Sequence, residues 1–149
     1  MIETLSQLFL RDLEKLKTEI TSYKDEKSIW EISGDIKNSA GNLCLHLCGN
    51  LQHFIGAVLG NSGFVRNRDA EFSRIDVPIL ELVAEIQLTM KVVQKALAEL
   101  KEDDLQKTYP INVLGYEMTT EFFLIHLTTH LNYHLGQINY HRRLIKTSE

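Results

Sequence analysis

The chain has 149 residues, 44% of them hydrophobic and 24% charged, with 16 basic and 20 acidic side chains giving a net charge of −4. That is enough chain for one domain with a real core, at ordinary globular composition. The mild negative balance disfavours a nucleic-acid partner, and no apolar run approaches the roughly 20 residues that cross a bilayer.

Glu3 and Asp12 fall where a secretory leader would carry positive charge and then apolar residues, so the expected location is cytoplasmic. Cys44 and Cys48, four apart on one predicted helix, are poorly placed for a bridge. They suit a reducing compartment and read as small core residues. Pro78 and Pro110 are the only prolines, and there is no repeat or low-complexity segment. Helical spacing dominates and strand alternation is absent, so residues 1–149 read as a single all-α domain.

The first helix is expected over about residues 2–23, where Ile2, Leu5, Phe9, Leu13, Leu16, Ile20 and Tyr23 form one stripe. The polar stretch SYKDEKSIWEISGDIKNS follows as a loop, with Trp30 packing at the edge of the core. A second helix begins at Ser39, a good N-cap, and runs to about Gly60. Its apolar arc holds Cys44, Leu47, Cys48, Leu51, Phe54, Ile55 and Val58. At about 100° per residue, His46, Asn50, His53 and Ala57 fall on the opposite arc.

NSGFVRNRDAEFSRI is expected as a solvated loop carrying Arg66, Arg68 and Arg74. Asp76 then caps a third helix, with Val77 and Pro78 in its first turn and a stripe from Ile79 to Leu100. KEDDLQKTYPINVLGYEM is a connector broken by Pro110 and Gly115, in which YPINV could make a short extended piece but no sheet. The fourth helix starts near Thr119 and ends near Lys146. Glu121 suits its positive end, and Arg142, Arg143 and Lys146 its negative end. Four long helices predict a four-helix bundle, and the longer 2–3 and 3–4 connections leave room for a topology other than up-down-up-down.

The fourth helix contains HLTTHLNYHLGQINYHRR. His126, His130 and His134 share a narrow sector among Phe123, Leu127, Leu131 and Ile138. A single histidine on an apolar face is ordinarily a core residue with a hydrogen bond. Three in register are harder to satisfy, because each buried imidazole left without partners costs about 1–3 kcal/mol. A divalent cation removes the difficulty. His-x-x-x-His places two imidazoles one turn apart, close enough to share a metal. The second helix offers a third nitrogen from His46 or from His53. Three protein ligands leave coordination positions open, which is the catalytic pattern. His141 lies near the helix end and reads as solvated or facing the dipole.

These residues resemble the DinB/YfiT-like superfamily. The resemblance rests on HLTTHLNYHLGQ with the earlier helical NLCLHLCGN, and it covers nearly the whole chain. RNRDAEF and GYEMTTEFFLIHL further resemble one bacterial subgroup of unknown function. The strongest motif is His-x-x-x-His-x-Gly-Gln, here His130, His134, Gly136 and Gln137. The resemblance implies an up-down-down-up four-helix bundle, a homodimer, and a divalent metal held by His46, His130 and His134, with His53 the rival to His46. By position, His126 reads as a neighbour in the cavity or a buried polar residue, Asn50 one turn beyond His46 as lining the cavity or as plain polar packing, and Gln137 as facing the site to orient a ligand. Leu135 stands where many members have Arg before the Gly-Gln pair, so no role of that Arg carries over.

Imidazole ligands suit Zn, Ni and Fe. An open three-histidine site activates either a thiol or a water, and the resemblance implies both chemistries. The leading expectation is a metal-dependent transferase that activates a small thiol of the bacillithiol type against an electrophile. Arg66, Arg68 and Arg74 are weighed as anchors for that cofactor's carboxylates against the plain reading of a solvated loop. The alternatives are a metal-dependent hydrolase, for which neither histidine face supplies an acidic general base, and a non-catalytic dimeric bundle protein. The expected partners are a second copy and a small molecule, with no nucleic acid and no membrane.

Overall fold

The computed structural model describes residues 1–145, so the expected end of the last helix at Lys146 lies outside the described residues. Six α-helices and no β-strand occur among them. They are α1 (Ile2–Thr21), α2 (Glu26–Ile29), α3 (Ala40–Leu51), α4 (Arg68–Ser73), α5 (Ile79–Glu99) and α6 (Thr120–Leu144). The four long ones, α1, α3, α5 and α6, match the four predicted. No helix is long and apolar enough to cross a membrane.

The i, i+3/i+4 stripe of α1 is the reason it packs between α5 and α6: Phe9, Leu13, Leu16 and Ile20 are fully buried. Each such side chain contributes about 1.5–3 kcal/mol of transfer free energy. On the opposite side of the core, α3 packs against α5 and α6. Two polar links also tie α1 to α6. Asn132 donates to Asp12 at 3.1 Å, and Asn139 and Arg142 both donate to Glu19 at 2.7 Å.

Several boundaries differ from expectation. The first helix stops at Thr21, short of Tyr23, yet Tyr23 is buried because its hydroxyl meets His141 Nδ1 at 2.7 Å. The loop after it folds one turn as α2, with Asp25 accepting from the Ser28 amide. Trp30 covers α3 at Gly41, where a Cβ would collide with the indole. The second predicted helix does not keep an apolar and a histidine side: all twelve residues of α3 are buried, because α4, α5 and α6 surround it. Past Leu51 it widens into a π-turn, Gln52–Ala57, and the Phe54 carbonyl accepts a hydrogen bond from the Tyr109 hydroxyl at 2.7 Å.

Asp76 does not cap α5. It sits at φ 56°, and Pro78 precedes the first helical residue; the free amide of Ile79 donates instead to Glu26. The last connector holds a 3₁₀ turn at Glu102–Gln106 and one isolated antiparallel bridge, Thr108 with Thr119, and no sheet among the described residues. Ser39 caps α3 as read from sequence, accepting from the Asn42 amide, and Thr119, where the last helix was expected to start, caps α6 by accepting from the Phe122 amide. His141 is neither solvated nor facing the dipole. It is buried, with Nε2 donating to the Glu31 carbonyl at 2.8 Å and Nδ1 accepting from Tyr23.

Candidate metal centre

Three imidazoles from two helices converge. On α6 the four-residue step brings the rings of His130 and His134 to 4.6 Å between centroids, nearly perpendicular at 87°. His46 faces both from α3, at 5.2 Å from His130 and 5.3 Å from His134, with interplanar angles of 76° and 89°. One nitrogen from each ring lies within 4.8 Å of the others, so His46, His130 and His134 together could hold a metal ion. His53 is outside this group. It meets Phe54 edge-on within the widened turn.

The far nitrogens of two rings are held by protein, which fixes which nitrogen is free. His46 Nδ1 donates to Glu71 Oε1 at 3.0 Å, and His134 Nδ1 donates to Gln137 Oε1 at 2.7 Å. Both leave Nε2 with its lone pair inward. His46 Nε2 and His130 Nε2 are 3.3 Å apart. Two nitrogens at about 2.0–2.1 Å from one tetrahedral ion stand about 3.3 Å apart, so the donor set fits a zinc-like cation. Burial, then the neighbouring His134, His46 and His126 and Arg66, push His130 down to about 4, which keeps it neutral as a ligand must be. Burial also lowers His134, against the opposing pull of Gln137.

The short helix α4 supplies what sequence reasoning missed. Its residues were expected in a solvated loop with no acid near the histidines. Instead Glu71 is buried beside His46, and Arg66, expected to be solvated, clasps its carboxylate through Nε and Nη2, each at 2.8 Å. Burial raises the Glu71 carboxyl, but hydrogen bonds from His46 and Arg66 outweigh it and hold the group below its usual range. Asn42 on α3 pins α4 in place, donating to the carbonyls of Glu71 and Arg74 at 3.0 and 2.7 Å. A signal existed in the sequence: Asn67 accepts from the Ala70 amide as an N-cap, with Asp69 and Glu71 in the first turn. Arg74 lies away from the histidines, 3.9 Å from Glu81 on α5.

A cavity of about 440 Å³ opens over the three histidines. Asn50 and His126 line it, which decides between the cavity and the plain packing that the sequence left open for them, together with Phe54, Phe72, Arg66 and Arg68. Cys44 and Cys48 are buried elsewhere on α3 and line none of it.

A family described as "Protein of unknown function (DUF1572)" matches residues 3–149. Among solved structures, a DinB-like protein from Bacillus cereus superposes with a TM-score of 0.72 at 19% sequence identity, over 95% of this chain and 90% of that one. At that identity the likeness establishes a shared DinB-like fold. No curated protein matches the chain.

Proposed function

The chain belongs to the DUF1572 family, and from that membership together with its three-histidine cluster we propose a divalent-metal protein whose ligands are His46, His130 and His134. The observation that carries the reading is the 3.3 Å approach of His46 Nε2 to His130 Nε2, with the other nitrogen of His46 occupied by Glu71. Bound there, zinc, nickel or iron would lower the pKa of a thiol or a water molecule occupying the open side.

The favoured activity is transfer of a small thiol to an electrophile. The cavity over the histidines is supported as the place where both meet, and its lining contains no carboxylate. Glu71, the nearest acid, is engaged by His46 and Arg66 and so is poorly placed as a general base. That weighs against the hydrolytic alternative, which needs a group to take a proton from water. His126, stacked on Phe123 at the cavity wall, is the group available to accept the thiol proton. In the same reading the four long helices form an up-down-down-up bundle, residues 1–149 make one domain, and two copies pair in the cytoplasm. Incubating metal-loaded protein with bacillithiol and monochlorobimane tests the activity. Conjugation that stops on chelation supports it, and no turnover with any small thiol points to the non-catalytic alternative.

A further inference from the structure

The walls of the cavity carry an excess of positive charge that no carboxylate among the described residues answers. Arg66 is neutralised by Glu71. Arg68 pairs with no carboxylate among the described residues. Its guanidinium lies over the Phe72 ring at 5.2 Å, and that ring in turn packs on His46 at 4.9 Å. The stack fixes a cation at the rim, one ring away from the proposed metal ligand. A three-histidine set donates no negative charge to its ion, so a bound cation would add to the charge of Arg68 rather than offset it.

Deeper in, Asn50 gives an independent sign of a ligand. It is 7% exposed, lines the cavity, and its side-chain oxygen is buried without a hydrogen-bond partner. A buried amide left unsatisfied costs about 1–3 kcal/mol, which a ligand can recover. Phe54, Phe72 and Phe123 add aromatic surface to the same lining.

We infer that this cavity takes a small organic anion with an apolar body, its anionic group against Arg68 and a hydrogen-bond donor meeting the side-chain oxygen of Asn50. The inference deepens the metal-site reading by naming the charge and shape of what that site receives. The volume, about 440 Å³, lies in the range of small-molecule sites.

The test uses 3-(4-hydroxyphenyl)propionate, whose phenol can donate to the Asn50 side-chain oxygen, and its neutral amide as probes, titrated into the metal-free and the zinc-loaded protein and followed by amide NMR shifts. Affinities of about millimolar suffice for that readout. The carboxylate is expected to bind the metal-free protein about 5-fold more tightly than the amide, with shifts at Asn50, Phe72 and His126. Arg68→Gln should abolish the preference, Arg68→Lys should keep most of it, and Asn50→Ala should weaken both probes. Equal binding of the two probes, a preference that survives Arg68→Gln, or no binding of either overturns the inference. Zinc uptake is measured on the same samples. A protein that takes no zinc but prefers the carboxylate sinks the metal reading and leaves the anion site standing; zinc uptake with no preference does the reverse.

Discussion

Gly49 and Glu71 occupy one another's space: a methyl group on Gly49 would overlap the Glu71 carboxylate. The missing side chain makes a notch in α3, and through it the carboxylate reaches His46 from beneath while Arg66 grips it from outside. The orientation of His46 thus depends on a glycine one turn along its own helix.

Gly49→Ala should therefore displace Glu71. Overpacking of this kind costs about 1–3 kcal/mol, and chemical denaturation should show a loss of that size. Zinc affinity should fall with it, since the His46 ring loses its anchor. An unchanged zinc affinity in a folded Gly49→Ala protein would mean that Glu71 does not position His46.

Glu71→Gln keeps the shape and can still accept from His46 Nδ1, but removes the charge that Arg66 neutralises. Partners of metal-bound histidines typically contribute 10–100-fold to affinity. A drop of about that size in zinc affinity, read by competition with a chelating dye, is the expected outcome, with the helical content preserved.

The links between α1 and α6 make stability sensitive to acid. Burial raises Asp12 and Glu19, but Arg11 and Asn132 for the one, and Arg142 and Asn139 for the other, outweigh it and hold both below their ordinary values. A carboxylate with a depressed folded pKa stabilises the fold at pH above its unfolded value, about 4. That contribution is lost as pH falls through the folded value. Thermal melts should begin to decline below about pH 6.5, where His130 takes up a proton in the unfolded chain but not in the fold, and fall more steeply below about pH 4 as the carboxylate contribution is lost. Asp12→Asn should lower the neutral-pH melting temperature and shallow the acid slope.

Tyr23→Phe removes the donor to His141 Nδ1. Because Nε2 of that ring already donates to the Glu31 carbonyl, Nδ1 is an acceptor that would be left buried and alone. The expected loss is about 1–3 kcal/mol with no change in zinc affinity. This separates His141 from the four histidines that line the cavity.

The four long helices were legible because their apolar stripes recur over five or more turns in α1 and α5, and because Ser39 and Thr119 announce two starts. His130 and His134 were legible for the same reason, since helical spacing fixes their relation. The short helix was not. Six residues are too few to show a period, so Glu71 and Arg68 looked like loop charge, although Asn67 marked a cap. The burial of α3 on every side was hidden too. Amphipathic reading expects one face in solvent, and His46 and Asn50 are polar residues facing a cavity inside the protein. His141 was misread because its partners, Tyr23 and Glu31, are more than a hundred residues away in sequence.

Elemental analysis of the purified protein bears most directly on the three-histidine site, comparing wild type with His46→Ala, His130→Ala and His53→Ala. The account predicts one equivalent of a divalent metal per chain, lost in His46→Ala and His130→Ala and retained in His53→Ala. Metal retained in His46→Ala but lost in His53→Ala, or absent from wild type after saturation with zinc and nickel, would contradict it.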